Sequence, residues 1–419
     1  MTGVPKKMTT LSNQSVNAPL SGIKILDLTS VMLGPYATQM LGDYGADVIK
    51  IESPEGDTTR RTGPALEPGM AATFIGANRS KRSIVLDLKQ EPARQALLTL
   101  VDSADVLIYS MRPQKLEALG LDYATLRDRN PRLIVIAVHG FADDGPYAGR
   151  PAYDDIIQSL CGLASLSQMQ GNGPSFLPTV IADKTCALFA TQAVLAALVA
   201  RSRHGQGTHV EVPMFEAMVN FTLVEHYYGA HFRPPLSKPG YTRLMSLWRK
   251  PYATTDGYVC VIPYTDGHWR SFFKEVSRPD LLADARFVTM KARTQNIDAL
   301  YAELAGCIAL RSTAEWLERC GQLDIPAAPL RQLADLEEDP HLKATGFFSS
   351  MMDPEMGEIV MPHAPLKFDG AFAETKLLPP RLGQHTIEVL EQAGLPSIEI
   401  HNLLASGAVV QYKTRETQL

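Results

Sequence analysis

From Gly22 onward the chain alternates short apolar runs with amphipathic stretches. GIKILDLTS is apolar and β-branched, and GPYATQMLGDYGADVIKIE after it reads as turn, helix and second strand, a βαβ opening. SIVLDL (83–88), a helical stretch over 91–103, DVLIYS (105–110) and RLIVIAVHG (132–140) continue the alternation. That pattern predicts a mostly parallel sheet with helices on both faces. The apolar segment from Asp183 to Arg203 stops at Gly205 and predicts a long helix, after which THVEVPM returns to strand character. Near residue 230 the pattern changes. HFRPPLSKPGYTR is a Pro-rich, basic connector, PYATTDGYVCVIPY gives two short strands around Asp256-Gly257, and helices are expected over 267–276, 292–309 and 312–322. EDPHLKATGFF, GEIVMPHAPLKF and LGQHTIEVLEQAGL then read as loop, strand and helix returning to the first domain. The expected division is a flexible tail over 1–20, a large Rossmann-like α/β domain over 21–225, a linker over 226–250, a smaller α+β domain over 251–330, and a return segment over 331–419 that completes the large domain.

Length and composition narrow the function classes. With 419 residues and 45% hydrophobic content, the chain is long enough for two cores. Its 40 basic and 45 acidic residues give a net charge of -5, without the basic excess that holds a phosphate backbone, so no nucleic-acid partner is expected. The five cysteines, at 161, 186, 260, 307 and 320, form no CxxC pair, and no His joins them at zinc spacing, so they read as reduced thiols and no metal is expected. The first twenty residues lack the apolar run of a signal peptide, and the apolar stretch 187–200 is shorter than a bilayer span. The expectation is a cytoplasmic protein without a membrane partner.

Candidate chemistry is sparse when taken locally. The turn SVMLGPYA starts a helix at Gly34 and Pro35 but lacks the GxGxxG spacing of a dinucleotide site, and Glu52, at the end of the second strand, does not replace those glycines. Asp183 stands before an apolar helical run. An Asp there is an ordinary N-cap, worth about 1 kcal/mol, and equally a carboxylate whose ionised form the positive helix end favours.

The segments in order carry more than any one of them. LDLTSVMLGPYATQMLGDYGADVIKIE, NRSKRSIVLDLK, SMRPQKLEALGLDY, GFADDGPYAGRPAYDDIIQSLCGL, PTVIADKTCALFATQAVLAALVARSRHGQG, EDPHLKATGFF and LGQHTIEVLEQAGL together resemble the class III coenzyme A transferases and related acyl-CoA racemases, over roughly 22–395. The resemblance implies that Asp183 is a nucleophile. It would attack a donor thioester to give a mixed anhydride, then an aspartyl-CoA thioester, with backbone N–H groups at the helix start stabilising the oxyanion. It also implies CoA as substrate with no prosthetic group, and an interlocked homodimer. Val31, Met32 and Leu33 fall in the loop that reaches the active site, and Lys81, Arg82, Ser110, Met111 and Arg112 match positions near the CoA. For the cations the bland alternative is solvated surface charge. Ser110 stands where relatives often carry Asn, and Gln114 where they carry Gly.

Two rivals stay open: a racemase on the same fold, and a non-catalytic CoA-binding protein. Racemase-like relatives carry a His where PAYDD has Tyr153, and a phenol is a poor match for an imidazole acid–base group, so Tyr153 favours transfer. Residues 225–265 hold no glycine run, which argues against formyl transfer. The acceptor is a carboxylic acid, and Arg243 and Arg249 are candidates for the second carboxylate of a dicarboxylic acid.

Overall fold

A computed structural model describes residues 18–375 and 377–413, so the expected N-terminal tail lies almost entirely outside the described residues. The chain divides into two compact units. The first holds the described residues up to Leu160, Pro178–Met218 and those from Lys343 on, and the second holds Cys161–Leu177 and Val219–Leu342.

The first unit is built on six parallel strands: β1 (Lys24–Leu28), β2 (Asp47–Glu52), β3 (Lys81–Leu86), β4 (Val106–Tyr109), β5 (Ile134–His139) and β6 (His209–Pro213). A short strand, Val409–Val410, adds antiparallel to β3, and the order across the sheet is Val409–Val410, β3, β2, β1, β4, β5, β6. One sheet face is apolar across its centre. Leu26, Leu28, Ile49, Ile51, Ile84 and Leu86 pack with Leu97 and Leu100 of the helix Glu91–Val101 and with Leu390 and Leu403 of the C-terminal helices.

The other face carries the helices Leu33–Asp43 and Ile181–His204. There the strand alternation buries charge. Asp27, Lys50 and Ser83 lie in register across β1, β2 and β3, with Glu52 and Lys81 beside them on the same face, and all five are 0–5% exposed. Each has partners, which offsets the cost of desolvation. Lys50 Nζ donates to Asp57 Oδ2 and to the Thr29 carbonyl, both at 3.0 Å. Lys81 Nζ donates to Asp27 Oδ2 at 3.2 Å and to the Pro35 carbonyl at 2.8 Å. Glu52 takes Arg60 at 2.7 Å and the Ser83 hydroxyl at 2.7 Å, so it is not free to meet a ribose.

The helix Ile181–His204 is, among the described residues, the one long and apolar enough to cross a membrane. Its Ala182, Cys186, Ala190, Val194 and Ala197 recur at helical spacing and are buried on the sheet side, and Arg201 pairs with Asp105 at 2.7 Å.

In the second unit, β7 (Tyr252–Ala253), β8 (Tyr258–Val261) and β9 (Ala327–Pro329) form an antiparallel sheet, with the hairpin turn at Asp256-Gly257. Helices pack on it through Trp269, Phe272, Phe273 and Trp316. The helix expected over 292–309 is two helices, Met290–Gln295 and Ile297–Ile308. Asn296 divides them, its amide donating back to the Ala292 carbonyl at 2.9 Å, a local bond that competes with the helical ladder.

Burial alone would raise the Asp27 pKa, but the Lys81 and Lys50 ammoniums and two threonine hydroxyls outweigh it and hold the carboxyl at about 2. Because the folded value lies below the ordinary one, this stabilisation is complete above about pH 4 and is lost as pH falls toward 2. Asp27→Asn should cost about 3–5 kcal/mol at neutral pH, the magnitude for a buried ion left without its partner. Urea denaturation measures it, and a loss under about 1 kcal/mol would mean that the ion row contributes little.

Candidate active site

The strand order reverses between β1 and β4: the chain leaves β1 toward β2 and β3, and leaves β4 toward β5 and β6. Loops that diverge at the carboxyl ends of adjacent parallel strands open a crevice, the usual ligand position in such sheets. Here the two loops touch where the Ser30 N–H donates to Ser110 Oγ at 3.3 Å. The crevice is a cleft of about 460 Å³, within the range of small-molecule sites. Val31, Met32, Leu33, Ser110 and Arg112 line it from the β1 and β4 loops, and His139, Arg150, Tyr153 and Asp183 line it from elements that follow. Seven residues singled out in the sequence thus meet in one place.

The loop after β1 is held in an unusual conformation. Val31 has φ +70°, which a β-branched residue rarely adopts. Its N–H donates to the Asp57 carboxylate at 3.2 Å, and Asp57 is in turn fixed by Lys50 and by the Thr59 N–H. Gly34, at the start of the helix Leu33–Asp43, passes so close to Thr29 that a Cβ there would collide with its side chain. No side chain caps that helix, and its Leu33 and Gly34 N–H groups have no acceptor among the described residues. They lie in the wall of the cleft.

Asp183 sits in the first turn of the helix Ile181–His204, but it does not cap it. That task belongs to Asp154, from the helix Asp154–Leu160. Its Oδ1 accepts from the Ala182 N–H at 2.7 Å and the Asp183 N–H at 3.0 Å, while Oδ2 accepts from Gln158 at 2.6 Å. The Ile181 and Lys184 N–H groups bond to the Thr179 and Val180 carbonyls. Two expectations are corrected by this arrangement. The donors at the start of this helix are already taken, so they are not free for an oxyanion. Nor is Asp183 held ionised well below neutrality: burial, and then the neighbouring charge of Asp154, push its pKa up to about 7.

Other candidates fall elsewhere. Lys81 is wholly buried, with its ammonium on Asp27, Pro35 and Asn78, so it is not available to a phosphate. Arg82 pairs with Asp47 at 2.7 Å and Glu388 at 2.9 Å. Met111 lines a second hollow of the first unit, with Thr29, Ser30, Leu86, Lys89 and Lys115. Arg243 and Arg249 belong to the second unit, where they line a pocket with Tyr252 and Tyr301, and Arg243 donates to the Tyr301 hydroxyl at 2.8 Å. Sequence reasoning missed Asp154, His139, Arg150, Lys89 and Lys115. The first three lie in or beside the quoted GFADDGPYAGRPAYDD motif, yet nothing local distinguished them from surface polar residues.

Comparisons with known proteins bear on what this cleft serves. The profile of CoA-transferase family III matches residues 20–386. The succinyl-CoA:mesaconate CoA-transferase of Haloarcula hispanica is 31% identical over 386 residues, covering 90% of this chain and 96% of its own. The succinate–glutarate CoA-transferase of Agrobacterium fabrum is 32% identical over 416 residues, covering 94% and 99%. Among solved structures, Rv3272 of Mycobacterium tuberculosis superposes with a TM-score of 0.77 at 30% identity, over 88% of this chain and 98% of that one. The ordered motifs, the parallel sheet and these relatives agree: the chain belongs to CoA-transferase family III, a class III CoA-transferase whose substrates are CoA thioesters.

Proposed function

We propose that this enzyme moves CoA from a dicarboxylyl-CoA donor such as succinyl-CoA to a dicarboxylic acid, with Asp183 as the covalent relay. The observation that carries this reading is the partnership in the cleft: one carboxylate, Asp183, with two guanidiniums, Arg112 and Arg150, that have no carboxylate partner among the described residues. The names of the relatives, which pair succinyl-CoA with mesaconate or glutarate, support the substrate class.

Ionised Asp183 attacks the donor thioester carbonyl and expels CoA thiolate, forming a mixed anhydride. The thiolate then attacks the Asp183 carbonyl, releases the donor acid and leaves an aspartyl-CoA thioester. The acceptor carboxylate attacks that thioester and expels the thiolate again, forming a second anhydride. Attack of the thiolate on the acceptor carbonyl then yields the new acyl-CoA and restores Asp183. The activated bond is conserved at each step, so no ATP is needed. The free Leu33 and Gly34 N–H groups are suited to the developing oxyanion. The second hollow shares Ser30 with the cleft, and its Lys89 and Lys115 suit the CoA phosphates, with Met111 and Leu119 offering apolar surface to the base. A homodimer fits the exposed Leu188, Leu195 and Val199 on one face of the helix Ile181–His204, and its expected mark is twice the chain mass in solution.

Incubation with succinyl-CoA and hydroxylamine should place a hydroxamate on Asp183, and Asp183→Asn should abolish it. An unlabelled Asp183, together with deuterium washed into the α-carbon of a 2-methylacyl-CoA, would favour the racemase instead. The rate of hydroxamate formation should rise from about pH 6 to about pH 8, because only the ionised carboxylate attacks. Asp154→Asn keeps an oxygen acceptor for the two N–H groups but removes a charge, so it should move that midpoint to lower pH; an unmoved midpoint would remove Asp154 from the account. For the acceptor, Arg150→Glu should lower dicarboxylate turnover by about 10²-fold while sparing a monocarboxylate. If Arg243→Glu with Arg249→Glu does so instead, recognition belongs to the second unit.

A further inference from the structure

The register of β4, β5 and β6 gathers an unusual set of side chains. Tyr109, Ala137 and Glu211 are paired across the three strands, and His139 and His209 lie two residues away from that row, so all project from one sheet face. Asp143, from the loop after β5, completes the group. The His139 side chain is 8% exposed, and neither of its ring nitrogens has a hydrogen-bond partner among the described residues. A buried imidazole with two unmet nitrogens calls for a ligand, since such groups are rarely left unpaired. Its Nε2 faces Asp143 Oδ1 at 3.7 Å, too long for a hydrogen bond. Neither Asp143 nor Glu211 has a Lys or Arg partner among the described residues.

We propose that His139, Asp143 and Glu211 form a divalent transition-metal site at the carboxyl edge of β5 and β6. Their candidate ligand atoms all lie within 4.8 Å of one another. Ligands about 2.0–2.2 Å from a shared ion stand roughly 3–4 Å apart, so closure needs only a small movement of two side chains that reach solvent. One imidazole and two carboxylates favour manganese, cobalt or zinc over calcium or magnesium, and they leave positions for water. The ion would replace carboxylate repulsion with shared coordination. The same two carboxylates, after burial, raise the Tyr109 pKa to about 12, which marks the negative field the ion would enter. Because His139 also lines the Asp183 cleft, coordination would tie the chain that leads from β5 to Arg150 and Tyr153 down onto β6. No CxxC or HExxH spacing announces the group, because its members come from two strands and a loop.

The full chain, stripped with chelator and then freed of it, is titrated with MnCl2 while the paramagnetic signal of free Mn2+ is followed. Manganese discriminates against the five thiols. One ion per chain should bind, and ZnCl2 should displace it. Glu211→Gln and Asp143→Asn should each weaken binding by about tenfold or more, whereas Asp144→Asn, at the exposed neighbouring position, should not. Bound Mn2+ should also raise the melting temperature of the parent chain and not that of Glu211→Gln. Failure of the parent chain to bind, or equal binding by Glu211→Gln and Asp143→Asn, would overturn the proposal. Both variants alter residues that reach solvent, and the measurement on the parent chain decides the matter even if His139→Ala does not fold.

Discussion

Lys50 holds this fold and its cleft in one interaction. Its ammonium lies wholly buried beneath the helix Leu33–Asp43, between the Thr29 carbonyl and the Asp57 carboxylate and near Asp27. A charge in that position is tolerable only while such partners stay in place, because they, with the Glu52 carboxylate, offset its desolvation. Thr29 and Asp57 are therefore tied to the sheet, and through Asp57 so is the N–H of Val31. The strained loop that carries Val31, Met32 and Leu33 into the cleft is thereby fixed by a buried ion pair. Rigid support of this kind suits a site that must hold reacting atoms in narrow geometry.

The same unit sets two carboxyls at opposite ends of the acidity scale. Asp27, surrounded by ammoniums and hydroxyls, is held at about 2, while Asp183, desolvated and beside Asp154, is raised to about 7. One is a permanent anion that serves structure. The other can ionise near neutrality with little solvation to shed, which suits the nucleophilic role proposed for it. Asp154 contributes to that raised value through its charge, and it also occupies the Ala182 and Asp183 N–H groups at the helix start. The uncapped start of the helix Leu33–Asp43 keeps donors without an acceptor among the described residues, and it lines the same cleft.

Much of the scaffold was legible in the sequence. Strand and helix alternation located all six parallel strands and the long helix that begins near Asp183, because near-continuous apolar runs fit a sheet covered on both faces. The ordered motifs indicated the family that the comparisons establish. Local pattern failed where a side chain had an unexpected partner. Asn296 divides a helix that periodicity joined, and Lys81, read as a phosphate contact, faces Asp27 inside the protein.

The sequence by itself determined the sheet, the family and the presence of a carboxylate at the start of a long helix, since these depend on periodicity and on the order of motifs. Only the tertiary structure decided which charges are buried and which are free. KILDL, DVIKIE and KRSIVL place Asp27, Lys50 and Lys81 at alternate positions that would suit a solvated face, until the helix Leu33–Asp43 covers them. The cleft is likewise tertiary. Val31, Arg112 and Asp183 lie far apart in sequence and line one cleft beside the point where the strand order reverses between β1 and β4, and the raised pKa of Asp183 follows from its burial there beside Asp154.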